Sequence, residues 1–119
     1  MDERRTRPRW QASFFFTNDR DYDKKFFDVV DLKTQKSIGH LVDLTIDGLQ
    51  VISKGKIAKG QLLAMRIELP GAVGESREIL ITAESVWSRQ DINPEMYFTG
   101  FKIVDITPPY GEVIDMLIQ

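Results

Sequence analysis

Arg5 and Arg9 stand four positions apart in the opening stretch Arg4-Arg5-Thr6-Arg7-Pro8-Arg9, and Asp43-Leu44-Thr45-Ile46-Asp47-Gly48 follows between two apolar stretches. These residue types suit recognition of a purine beside a phosphate. The planar guanidinium fork matches both phosphate oxygens and the O6/N7 edge of guanine. Pro8 restricts the backbone between the arginines and lowers the entropic cost of ordering them. On the opposite edge of the base, Asp43 can accept from the guanine N1–H and exocyclic amine. The Thr45 hydroxyl can donate to a phosphate oxygen. Gly48 permits a positive φ and a close approach of ligand to backbone. The same Asp-x-Thr-x-x-Gly element is also a good turn, with Asp and Thr bonding local N–H groups. These six residues alone leave both readings open.

Other chemistries find little material. His40 is the single histidine and there is no cysteine, which is poor material for a transition-metal site. A serine or threonine triad would depend wholly on that imidazole, and no Gly-x-Ser-x-Gly element exists. Carboxylates are scattered through turn-like stretches, so no general acid/base pair stands out. Gly55 and Gly60 have the glycine spacing of a phosphate loop, but Gln61-Leu62 replaces the Lys-Ser/Thr that would hold phosphate and magnesium. Lys54, Lys56 and Lys59 around it read more simply as a solvated turn. The expectation is a binding protein rather than an enzyme, with no cofactor.

A chain of 119 residues is expected to form one domain, 1–119, with a modest core. Apolar residues at 42% and charged residues at 29% exclude wholesale disorder. Apolar runs fall far short of a membrane span, and no apolar h-region follows the basic N-terminus. Together with the lack of cysteine this makes a cytoplasmic location the expectation. Charge is unevenly placed. Four arginines against Asp2 and Glu3 put +2 on residues 1–9, so a total of −2 leaves −4 on the rest. A positive arm on an acidic body suits a small anionic ligand at one spot better than a long polyanion, which argues against a nucleic-acid partner.

The elements that must hold these clusters follow from pattern. Residues 10–16 are apolar and aromatic enough for a strand, and 17–25 are charged enough for an exposed loop. Strands are expected over 26–32 and 37–44, joined by the polar turn 33–36, then over 49–52. A turn over 53–60 leads to the alternating strand 63–69, which Pro70-Gly71 should break. Alternation resumes over 79–87; a turn at 91–94 precedes a last strand, 97–106. Thr107 is a candidate N-cap with Pro108 at the first helical position, ahead of the stripe Val113, Ile114, Leu117 and Ile118. Short strands with regular turns, closed by one helix, predict a mainly β chain: a small antiparallel barrel over 10–106 with a C-terminal α-helix in 107–119. The helical stripe is free either to cover the barrel or to pair with another copy, so monomer and homodimer both stand.

Arg5-x-x-x-Arg9 followed by Asp43-x-Thr45-x-x-Gly48 resembles the signature of PilZ domains, bacterial receptors for cyclic di-GMP. The resemblance extends over 60–70, Val86-Trp87, Gly100-Phe101 and the terminal amphipathic helix, nearly the whole chain. It implies a six-stranded antiparallel β-barrel with a C-terminal helix and cyclic di-GMP as ligand. Arg5 and Arg9 would then take guanine and phosphate from a flexible arm, 1–9. Asp43 would bind guanine, Thr45 would lie near phosphate, Gly48 would shape the turn, and Arg4 would be a secondary phosphate contact. Threonine stands where the family usually has serine, and the stretch between the motifs is longer than usual, with 17–25 as the expected insertion. The implied function is an adaptor. Its arm folds over the ligand and changes the surface shown to an effector protein in motility, pilus or biofilm control. The alternative is a PilZ-like barrel that binds no nucleotide and docks a protein through its aromatics (Phe14 to Phe16, Phe26, Phe27) and the helical stripe.

Overall fold

The computed structural model describes residues 10–11 and 27–118. The arm 1–9, the loop 17–25 and the aromatic residues Phe14 to Phe16 and Phe26 lie outside the described residues. The strands are β1 (Trp10–Gln11), β2 (Asp28–Asp31), β3 (Lys36–Leu44), β4 (Gly48–Lys54), β5 (Leu62–Val73), β6 (Ser76–Gln90) and β7 (Met96–Ile106). A single described helix, α1 (Tyr110–Ile118), follows. All pairings are antiparallel. The sheet order β3-β2-β5-β6-β7-β4 returns to β3, so six strands close into a barrel. Among the described strands, closure leaves no long free edge to recruit another chain.

Closure depends on β3 serving two neighbours with its two halves. Residues 36–40 pair with β2, and residues 40–44 pair with β4. Beyond the end of β2, β1 takes the vacated edge, with Trp10 opposite Leu44 and Gln11 opposite Asp43. Alternation supplies the core. Val29, Leu41, Leu44, Val51, Met65, Ile67 and Ile79 are buried inside the barrel, and the Trp10 ring stacks on buried Phe27 at 4.3 Å. A smaller cluster of Val42, Ile52 and Phe98 forms apart from it.

Several bounds shift from the pattern-based expectation, β6 for example running Ser76–Gln90 rather than 79–87, and two of the shifts have a clear physical cause. β5 does not stop at Pro70; it continues to Val73 and regains β6 at Ser76 after a register shift beyond Glu68. Proline cannot donate to a ladder, so the strand bulges away from β6 there and keeps its extended course. The helix begins at Tyr110 rather than Pro108, and the Val113 N–H donates to the Pro109 carbonyl at 3.2 Å. A residue preceding proline is kept out of the α region, so Pro108 cannot start a helix that contains Pro109. The apolar stripe faces the barrel: Val113 and Ile114 are buried, and Leu117 and Ile118 pack against the core. The stripe therefore covers the barrel.

Candidate functional site

Asp43, Thr45 and Gly48 come together at the β3–β4 turn, and the turn is built by Thr45. Its Oγ1 accepts from the Asp47 and Gly48 N–H groups, both at 3.2 Å, while its own N–H donates to the Gly48 carbonyl at 2.9 Å. The hydroxyl proton has only a long contact, 3.4 Å, to the Gly48 carbonyl, and so stays available to a stronger acceptor. The turn is moored to β7 because the Ile103 N–H donates to the Asp47 carbonyl at 2.9 Å.

Gly48 is needed for a different reason than its turn position implies. Its φ is not positive; instead a Cβ there would stand 2.5 Å from the Phe101 carbonyl oxygen of β7. The absent side chain allows close strand approach, so the expectation of a left-handed glycine at this position is corrected.

Strand register then extends the site beyond the motif. Gln11 pairs with Asp43, Asp43 with Gln50, Gln50 with Gly100, and Gly100 with Trp87, one continuous row across β1, β3, β4, β7 and β6. The neighbouring row, Leu44, Leu49, Phe101 and Ser85, is buried. With strands about 4.8 Å apart, Asp43 and Trp87 are roughly 14 Å apart along the row. Gly100 makes a dip between them. A Cβ there would collide with the Trp87 indole, so the ring lies directly on the β7 backbone.

A bulge aims this ring. The β6–β7 register slips between Ser85 and Trp87, which leaves Val86 as the extra residue and places both Val86 and Trp87 on the outside. Trp87 is 39% exposed, and the Arg89 guanidinium lies 6.0 Å from its ring centroid and 4.6 Å from that of Phe98. The row and the turn enclose a cleft of about 190 Å³, lined by Asp43, Thr45, Gly48, Gln50, Trp87 and Phe101 among others.

The structure thus unites the three predicted motif residues and adds Gln50, Val86, Trp87 and Gly100, which position-by-position reading did not assign to the site. Arg4, Arg5 and Arg9 lie outside the described residues. Their successor in the chain, Trp10, is in register with Leu44, the residue before Thr45. His40 stands elsewhere, on β3, with Nε2 3.9 Å from the Asp28 carboxylate.

No family model and no curated protein sequence matches the chain. Solved structures do. The barrel and helix define a PilZ-like fold. The Bacillus subtilis inhibitor of motility MotI/DgrA matches 98% of this chain with TM-score 0.70 and 17% identity, over 50% of its own chain. The PilZ domain of YcgR from Escherichia coli, solved with c-di-GMP, matches 78% of this chain and 78% of its own, with TM-score 0.57 and 14% identity. The longer YcgR structure in complex with c-di-GMP matches 78% of this chain and 39% of its own, with TM-score 0.58 and 14% identity. This chain spans half the length of MotI/DgrA. No described helix is long and apolar enough to cross a membrane.

Proposed function

We propose that the protein is a cytoplasmic cyclic di-GMP receptor and adaptor, a regulator of motility or a related bacterial process rather than an enzyme. In this reading Arg5 and Arg9, with Arg4 beside them, close over a ligand seated at the Asp43–Gly48 turn. Asp43 holds a guanine edge. Thr45 keeps the turn in shape and gives its proton to a phosphate oxygen. The ligand neutralises the arm's charges and remodels the surface offered to an effector protein.

The observation that carries this reading is the pairing of β1 with the end of β3. It sets Trp10, the residue next to Arg9, beside Leu44 at the mouth of the motif turn. The chain just after the arginine cluster is thus anchored next to the motif turn, which supports a reach of the arm to a ligand there. The likeness to YcgR, whose structures contain c-di-GMP, supports the choice of ligand, and the likeness to an inhibitor of motility supports the choice of process.

The alternative, a barrel that docks a protein without nucleotide, loses part of its surface. Phe27 is buried and the helical stripe packs on the core. Calorimetric titration of cyclic di-GMP into the wild type, Arg5→Ala, Arg9→Ala and Asp43→Ala tests the proposal. Each arginine that makes charge-assisted hydrogen bonds contributes about 1.5–3 kcal/mol, so its loss should weaken binding roughly 10- to 150-fold. Equal affinities across the set would remove these residues from the site.

A further inference from the structure

Among the described residues, the motif cleft by itself is smaller than a typical small-molecule site. Small-molecule sites run from about 300 to 1,000 Å³, and the cleft at the β3–β4 turn holds about 190 Å³. Directly across Val86 and Trp87, which line both, lies a second hollow of about 590 Å³. Its other walls are Lys56, Ala58, Lys59 and Ser88. On a chain that is net acidic, this wall carries two ammonium groups and no carboxylate.

The lysines stand on a loop that the fold takes care to hold. Ser85 on β6, 1% exposed, fastens the loop from one side with both backbone and side chain. Its Oγ donates to the Ala58 carbonyl at 2.7 Å and accepts from the Gln61 N–H at 2.9 Å. Its N–H donates to the Gln61 carbonyl at 2.9 Å, and its carbonyl accepts from the Gly60 N–H at 2.8 Å. The segment carrying Lys56 and Lys59 is therefore set beside the indole before any ligand arrives, which lowers the ordering cost of binding.

Resting on the cyclic di-GMP reading, we propose that the ligand crosses the Trp87 ring and places a phosphodiester in the hollow between Lys56 and Lys59. The indole is the partition on which a purine stacks, and the two ammonium groups take the anionic charge on its far side.

The test uses the double variant Lys56→Gln/Lys59→Gln, whose positions are exposed and whose loss leaves the barrel intact. Calorimetry with cyclic di-GMP should show affinity reduced about ten-fold or more, the loss of roughly one charge-assisted bond. Titration with GMP, too short to reach from the motif turn to the lysines, should show no such difference. In a second measurement, Trp10→Phe leaves Trp87 as the sole tryptophan. Its emission should change on saturation with cyclic di-GMP. If the wild type binds no cyclic di-GMP, both the functional reading and this extension fall. If the wild type binds and Asp43→Ala does not, while the lysine variant matches wild type or Trp87 emission stays constant, only the extension falls. Equal weakening toward GMP and the dinucleotide would also overturn it.

Discussion

Thr45 and Gly48 show how one short element can build a turn and line a cleft together. The Thr45 hydroxyl accepts two backbone N–H groups and so defines the turn, while its proton is held only by a long contact to the Gly48 carbonyl. A threonine in place of serine keeps this geometry because the hydroxyl is the working group. The glycines do their work by absence. Gly48 makes room for the Phe101 carbonyl, and Gly100 makes room for the flat indole of Trp87. Gly100→Ala would force the ring off the β7 backbone. Overpacking of this kind costs about 1–3 kcal/mol, visible as a lower denaturant midpoint, and the displaced ring should weaken ligand binding as well. An unchanged midpoint and affinity would show that the indole can move aside freely.

Among the elements, β3 and the bulged β6 matter most. β3 is long enough to give half its length to β2 and half to β4, which closes the barrel and leaves an edge beside Asp43 for β1. The bulge at Val86 turns two large apolar side chains outward at the place where the motif cleft and the lysine hollow meet. Just before it, Ser85 ties the loop to the strand through its side chain. Ser85→Ala would remove two hydrogen bonds that hold the loop, to the Ala58 carbonyl and from the Gln61 N–H, each worth about 0.5–1.5 kcal/mol. Hydrogen exchange should accelerate at residues 56–61 ahead of the barrel strands. Uniform acceleration throughout the chain would instead make Ser85 an ordinary core residue.

For the molecule as a whole, the helix completes the core and adds no separate module. Ile114 is fully buried, and Val113 nearly so, against side chains of β5 and β6. Ile114→Ala should destabilise the fold by about 2–5 kcal/mol, measured by equilibrium unfolding with wild-type cooperativity. A loss below 1 kcal/mol would mean that the helix docks loosely and its stripe is open to other partners. The proposed site lies on the outer faces of β3, β4, β6 and β7 and the loop leading into β5. Binding at such a place would leave the core undisturbed and act through the surface, as the proposed adaptor role requires.

Much of the barrel was legible because its causes are local. Two-residue alternation marked β5 and β6, turn residues marked 33–36 and 91–94, and the helical stripe marked α1. Local chemistry also identified Asp43, Thr45 and Gly48 as a unit. The helix start was misplaced by two residues because the pair Pro108-Pro109 acts through a steric rule on the residue before proline. β5 was cut short because proline forbids pairing but not extension.

What the amino-acid order determined by itself was the set of hydrogen-bonding groups and the alternation that turns one side of each strand inward. Which of those groups share a face was decided by register, a property of strands paired across long stretches of chain. Asp43, Gln50, Gly100 and Trp87 became neighbours only when four strands aligned, and Lys56 and Lys59 joined them only when Ser85 fastened their loop. Such contacts have no signature in local sequence, because the energy that selects them is the burial of the adjacent row, Leu44, Leu49 and Phe101, on the other side of the sheet.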